Sequence, residues 1–274
     1  MPKLSKNADI PSEDLAASRP KPSDSYVQSF ARGLAVLRSF GVDAPAQTLS
    51  EVAKRSELSR AGARRILLTL LHLGYVEADE RLFRLTPKVL DLGFAYLSSL
   101  PVWTQAQPVM EDLVQSLKQN CSASVLDGDE IVYILRIPDR NIMSINLSIG
   151  SRLPAYCTSM GRVLLAGLPR AMLKERITSM SLTPLTPHTI VDRVRLLEVI
   201  EQVRIQGWCM VSEELEQGLV SVAVPITDRN GNVVAAMNIS GSLNKPTPAD
   251  LLENRLPKLL AAATKINKLL YSQT

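Results

Sequence analysis

Apolar residues along the chain follow two rhythms. The first is helical and runs to about residue 97. Val27, Phe30, Leu34, Leu37 and Phe40 recur three or four residues apart, which predicts a helix that Gly41 ends. Thr48-Leu49-Ser50-Glu51 has the form of a capping box, with Glu51 at the third helical position. The helix it starts would turn Leu49, Val52 and Ala53 inward. Ser59 can cap the next helix, whose apolar side reads Ala63, Ile66, Leu67, Leu70 and Leu71 before Gly74 ends it. Tyr75-Val76 and Arg81 to Leu85 then read as two strands around the turn Glu77-Ala78-Asp79-Glu80. Thr86-Pro87 restarts a helix, with Thr86 as cap and Leu90, Phe94 and Leu97 on one side.

Beyond residues 98–103 strands and helices alternate. Ala106, Val109, Met110, Leu113, Val114 and Leu117 mark an amphipathic helix. Strands are expected over 123–127, 130–137, 142–147, 209–212, 220–227 and 233–240, and helices over 159–167, 170–178, 192–207 and 249–270. Asp228-Arg229-Asn230-Gly231-Asn232 is a strong hairpin turn between the last two strands. The fold class is α+β: a largely antiparallel sheet with helices packed on it, preceded by a small helical domain. The expected layout is a disordered arm over 1–25, a first domain over 26–85, a linker helix over 86–102 and a second domain over 103–274.

Charge sharpens the reading of the first domain. Over the whole chain 31 Lys and Arg face 27 Asp and Glu, a small excess. Between Lys54 and Arg65 there are five cations and one acid, whereas residues 97–274 carry 17 cations and 16 acids. The excess is local, and it sits where helix, helix, turn, helix and a two-stranded hairpin make a winged helix-turn-helix. Arg60 and Arg64 lie four residues apart and share the outer face of the second motif helix. Such a helix enters the major groove of double-stranded DNA near its N-terminal end, where Arg can contact phosphate or guanine. Ser59 and the helix N-terminus suit a phosphate, and the small Gly62 permits close approach. The DNA-binding candidates are Ser59, Arg60, Gly62, Arg64 and Arg65, with Arg32 on the first helix and Arg81 and Arg84 on the wing.

Other chemistry is thinly represented. Cys121, Cys157 and Cys209 are widely spaced and odd in number, which fits a reducing cytosol and small buried hydrophobes. With two histidines and no C-x-x-C spacing, neither a protein-held metal nor a cofactor is expected. The N-terminus lacks the apolar core of a signal peptide, and no apolar run of 18 residues exists, so a cytoplasmic protein without a membrane span is expected. An enzyme is the rival reading: Cys157-Thr158-Ser159-Met160-Gly161 is half of a nucleophile elbow, but no histidine has a triad context. A nonspecific DNA binder is the other rival, and the neutral second domain argues against it.

Several segments together resemble the IclR family of bacterial transcription regulators, and within it the subgroup that controls aromatic-acid breakdown through the β-ketoadipate pathway. They are SFARGLAVLRSF (29–40), RRILLTLLHLGYV (64–76), FRLTPKVLDLGFAYLSS (83–99), RLPAYCTSMGRVLLAGL (152–168), ELEQGLVSVAVPI (214–226) and AAMNISGS (235–242). The resemblance implies a homodimer or homotetramer, a near-palindromic operator, a GAF-like effector domain and a linker helix from Thr86 to Ser99. The wing turn Ala78-Asp79-Glu80-Arg81 departs from the family in lacking Gly and carrying two acids.

The second domain can also be read from its own residues. Val234, Ala236, Asn238 and Ser240 alternate onto one face of a strand, opposite Ala235, Met237 and Ile239. Ser221 and Ala223 continue the small, partly polar face on the neighbouring strand, which leaves room for a ligand. The resemblance carries effector-binding roles onto Ser159, Met160, Ser221, Asn238 and Ser240. It also aligns Val211 with a position that is acidic in a relative, which fits a less hydrophilic ligand such as an aromatic acid. Arg152, with Arg136 second, is the candidate to pair with the acid's carboxylate. Protocatechuate, 4-hydroxybenzoate, β-ketoadipate and muconate-like acids all remain open as effectors.

Overall fold

Both capping signals between residues 48 and 59 start a helix in the computed structural model, which describes residues 26–139, 147–242 and 247–272. The expected arm over 1–25, and the expected strand over 142–147 apart from Leu147, fall outside the described residues. The chain forms two compact units that divide between Phe94 and Ala95.

The first unit runs α1 (Gln28–Arg38), β1 (Ala46–Thr48), α2 (Leu49–Arg55), α3 (Arg60–His72), β2 (Val76–Asp79) and β3 (Leu82–Leu85). Thr48 and Glu51 exchange the two bonds of a capping box, and Ser59 Oγ accepts from the Gly62 N–H at 3.1 Å. Val36, Phe40, Val52, Ala53, Ala63, Leu67, Leu70 and Val76 form the core. Four features differ from expectation. β1 pairs antiparallel with β3, giving a three-stranded sheet in the order β1-β3-β2. The wing turn is only Glu80-Arg81, because β2 runs on to Asp79; it holds Glu80 at φ +51°, a conformation that favours glycine. The Thr86 hydroxyl donates to the Gly74 carbonyl instead of capping, and Pro87–Val89 forms a 3-10 turn ahead of α4 (Leu90–Ser98). Leu71 is exposed, and so are Val27, Leu34, Phe30 (67%), Leu90 (72%) and Phe94 (64%). The helices form where periodicity placed them, but these apolar sides are left outward.

The second unit is a six-stranded antiparallel sheet in the order β6-β5-β4-β9-β8-β7. The strands are β4 (Asn120–Asp127), β5 (Glu130–Ile137), β6 (Arg152–Pro154), β7 (Cys209–Ser212), β8 (Leu219–Thr227) and β9 (Val233–Ser242). β6, too short to carry a pattern, was not expected. Two helices, α5 (Pro101–Leu117) and α9 (Leu256–Tyr271), pack on one face; α6 (Ser159–Gly167), α7 (Arg170–Ser179) and α8 (Arg193–Gln206) belong to the other. The α9 region, expected as one helix from residue 249, instead opens with a π-helical turn at Leu251–Arg255, just before Pro257, which has no N–H to donate.

Alternation along β9 is as the sequence predicts from Ala235 onward; ahead of it a register shift leaves Val234 39% exposed and puts Val233, not Val234, on the α6 side. Ala235, Met237 and Ile239 enter the core under α5 and α9, while Ala236 and Asn238 face α6. β5 breaks the alternation. Its register against β4 pairs Leu135 with Ala123 and Tyr133 with Ser124, so Ile134 is an extra residue, a β-bulge. Ile134 and Leu135 consequently both enter the core under α5, and Tyr133 and Arg136 share the opposite side.

Candidate functional site

The N-terminal end of α3 gathers part of the expected DNA-binding set. Ser59, Arg60 and Arg64 are exposed there, and Arg60 and Arg64 point about 40° apart around the helix axis. A side chain at Gly62 would put its Cβ 3.2 Å from Ser59 Oγ, so glycine leaves the cap undisturbed. Arg65 lies about 100° further round α3 and, with Arg32 of α1, lines a separate groove whose other walls are mainly apolar. Arg81 stands in the wing turn and Arg84 on β3, both exposed, close in sequence to the acids Glu77, Asp79 and Glu80. Among the described residues none of Arg32, Arg60, Arg64, Arg65, Arg81 and Arg84 forms an ion pair, whereas Arg152, Arg162, Arg170, Arg195, Arg204 and Arg255 of the second unit each do. The first unit's guanidinium groups are thus uncommitted to protein carboxylates, as a phosphate-facing surface requires.

In the second unit a cavity of about 230 Å³ lies between the sheet, the N-terminus of α6 and the loop over 213–218. Two transverse rows of the sheet run beneath it: Val211, Ser221, Ser240 and Asn120, all of which line it, and Cys209, Ala223, Asn238, Ser122 and Arg136, of which Asn238 and Arg136 line it. Most of these side chains are small, which is why the floor is concave. Ser159 and Met160 come in from α6, whose N-cap Thr158 accepts from the Gly161 N–H. Ser159 Oγ and Ser221 Oγ are 2.9 Å apart, and Met160 Sδ lies 3.3 Å from Ser124 Oγ. Asn238 is 6% exposed and its Oδ1 has no hydrogen-bond partner. Five of the six expected effector residues, Ser159, Met160, Ser221, Asn238 and Ser240, therefore line one cavity.

Arg152 does not. It sits on the edge strand β6, with its guanidinium 2.6 Å from both Asp127 and Glu130 and held in the charged form by their hydrogen bonds. A cation that lies outside the cavity and is already neutralised by two carboxylates is not placed to meet an effector there, so its expected pairing with the acid is corrected. Arg136, the second choice, does line the cavity.

The sequence reading missed three residues here. Tyr133 lines the cavity beside Arg136. Glu214, on the wall, receives two hydrogen bonds from the buried Arg162, at 2.6 and 2.7 Å, and a third from the Ile190 N–H. Arg162 also donates to the Tyr156 carbonyl at 2.8 Å. An arginine inside the otherwise apolar run GRVLLAG was the available signal for this pair. Gly161 is needed beside it, because a Cβ there would lie 2.1 Å from the Ala155 carbonyl oxygen. Gly161→Ala is expected to destabilise the second unit by about 1–3 kcal/mol, read as a fall in the denaturant midpoint.

Nothing at the cavity supports nucleophilic chemistry. Burial pushes the Cys157 thiol up to about 11 and Cys209 up to about 12, so both stay protonated at neutral pH. Neither His72 nor His188 lines the cavity to serve Ser159 as a base. Among the described residues no cluster of His, Cys, Asp or Glu could hold a metal ion, and no helix is long and apolar enough to cross a membrane.

Comparison with known proteins finds a family match for each unit. The bacterial transcriptional regulator IclR C-terminal domain matches residues 94–268, and the IclR helix-turn-helix domain matches residues 29–80. The chain is 45% identical over 239 residues to the Pca regulon regulatory protein of Pseudomonas putida, covering 87% of this chain and 82% of that protein. It is 36% identical over 252 residues to the p-hydroxybenzoate hydroxylase transcriptional activator of Acinetobacter baylyi, covering 90% and 93% of the two chains. The crystal structure of an IclR homolog from Microbacterium hydrocarbonoxydans, complexed with 4-hydroxybenzoate, is similar with a TM-score of 0.78 at 26% identity, over 89% of this chain and 99% of that one. With a winged helix-turn-helix ahead of a cavity-bearing sheet domain, and with family matches to both units, the chain belongs to the IclR family of DNA-binding transcriptional regulators.

Proposed function

We propose that this protein is a cytoplasmic regulator that binds a near-palindromic operator as a homo-oligomer and responds to a hydroxylated aromatic monocarboxylic acid, with 4-hydroxybenzoate the first candidate. The observation that carries the reading is the polarity of the cavity. Arg136 is its one cationic wall residue among the described residues, and Asn238 supplies a buried acceptor with no donor. They stand two strands apart on the floor, about 10 Å between backbones. A carboxylate placed at Arg136 and a hydroxyl at Asn238 would set the ring between them. An engineered cavity of about 150 Å³ takes up benzene, so about 230 Å³ suffices for one substituted ring. A dicarboxylate would bring its second charge toward a wall that already carries Glu214 and Glu216. The acid complexed with the Microbacterium homolog is of the favoured kind.

The oligomer is supported by the outward apolar sides of α1 and α4. Phe30, Leu34, Leu90 and Phe94 are exposed, a cost that a second copy would relieve. Two copies related by a two-fold axis would present two α3 helices to two half-sites.

Fluorescence anisotropy on duplexes tiling the DNA beside the gene tests this reading. One site should bind roughly a thousandfold or more tighter than a scrambled duplex at near-physiological salt. 4-Hydroxybenzoate should shift that binding, and Arg136→Gln should raise the half-effective concentration about tenfold or more. Equal affinity for all duplexes would leave only a phosphate-sensing basic face. A shift by β-ketoadipate and by no aromatic acid would overturn the effector class.

A further inference from the structure

The bulge in β5 does something that a regular strand cannot. Residues three apart on a strand face opposite ways, because the side-chain period is two. Tyr133 and Arg136 are three apart and nevertheless line the same cavity. The extra residue between them, Ile134, makes this possible: Ile134 and Leu135 both turn into the core under α5, and the strand resumes with Arg136 on the Tyr133 side. Bulges beside binding sites commonly re-aim a side chain in this way.

Tyr133 is the less expected member of the pair. It is 5% exposed and it lines the cavity. We propose that the bulge builds a two-donor carboxylate site, in which Tyr133 Oη binds one oxygen of the effector while the Arg136 guanidinium binds the other. Tyr133 is then a specificity-determining residue, and it selects a carboxylate over the matching carboxamide. A carboxylate offers an acceptor to each donor. A carboxamide can place its oxygen at Arg136 and donate its NH₂ to Tyr133 Oη, but it carries no charge, so its hydrogen bonds there are the weaker ones. Burial raises the Tyr133 phenol to about 12, against the pull of Arg136, so the hydroxyl keeps its proton to donate throughout the physiological range.

The inference rests on the cavity being the acid site proposed above. The test is isothermal titration calorimetry of the full chain and its Tyr133→Phe variant, each with 4-hydroxybenzoate and 4-hydroxybenzamide. Phe keeps the ring that packs against the α6 side of the sheet, so folding is preserved, and a melting curve checks this. Tyr133→Phe should weaken 4-hydroxybenzoate binding about 10- to 100-fold, the range for a hydrogen bond to a charged group. It should weaken 4-hydroxybenzamide binding less, by about 2- to 10-fold, the range for a neutral hydrogen bond, so that discrimination between the two narrows. Unchanged affinity for the acid, or an equal loss for acid and amide, would overturn the role of Tyr133 and leave the cavity reading standing. A wild-type protein that binds neither compound would overturn the cavity reading, and this inference with it.

Discussion

Replacing Arg60 and Arg64 together by alanine is expected to weaken operator binding by about a hundredfold or more, since each good arginine contact to DNA contributes about 1–3 kcal/mol. Both side chains are exposed at the N-terminal end of α3 and neither forms an ion pair among the described residues. Removing them therefore leaves no protein carboxylate unpartnered, and the α3 core contacts through Ala63, Leu67 and Leu70 stay in place. The loss should appear in binding and not in thermal stability. Salt dependence separates the two kinds of contact. If both arginines sit on phosphates, the slope of log affinity against log salt should fall by nearly two, and binding to scrambled DNA should weaken in parallel. If they read bases, the slope should change little and the ratio of specific to scrambled affinity should collapse. Arg195→Ala, on α8 of the other unit, is the control. A double variant that binds the operator as tightly as the parent would remove α3 from the interface.

The largest effect on stability is expected at Arg162. Arg162→Met should cost about 3–5 kcal/mol, the usual result of breaking one side of a buried ion pair. Arg162 and Glu214 are both nearly inaccessible to solvent, and Arg162 makes two of the three hydrogen bonds received by the Glu214 carboxylate. Methionine fills much of the same volume, so the loss comes mainly from the stranded charge and not from a cavity. For a unit of this size the melting temperature should fall by roughly 10 °C. The double variant Arg162→Met, Glu214→Leu should recover most of that, because replacing a whole buried pair by apolar side chains is often neutral or stabilising. Should the single and double variants melt together, the stranded-charge explanation fails and packing alone accounts for the loss. Glu214 also stands on the cavity wall, so the single variant should bind effector more weakly even below its melting range.

Legibility in the sequence followed how local each cause is. The helices of the first unit were readable because Thr48, Glu51 and Ser59 carry their capping partners within three residues. The small face of β8 and β9 was readable because period two holds without interruption from Val220 to Ile226 and from Ala235 to Ile239. β1 was not, since Ala46-Gln47-Thr48 is a strand only by virtue of pairing with β3, far away in sequence. Arg152 was misassigned for a related reason: its partners Asp127 and Glu130 are brought to it by the β5–β6 pairing, which no spacing rule reveals. Tyr133 was hidden by the bulge, because a strict alternation puts it on the opposite face from Arg136. Phe30, Leu90 and Phe94 look in the sequence like residues of an internal core, and periodicity alone does not say whether an apolar side is covered within the chain.

The bulge also limits how effector preference can change by descent. Point substitutions at Tyr133 or Arg136 alter the cavity and leave the opposite core untouched. Regular alternation at the present spacing of three would instead turn Arg136 into the apolar core under α5, where a guanidinium is costly to bury. A strand of this length that lost its bulge is therefore penalised by folding before it can be tried as a new specificity. Descendants of this protein that keep the spacing between these two residues should keep the bulge even where the acid they sense is different.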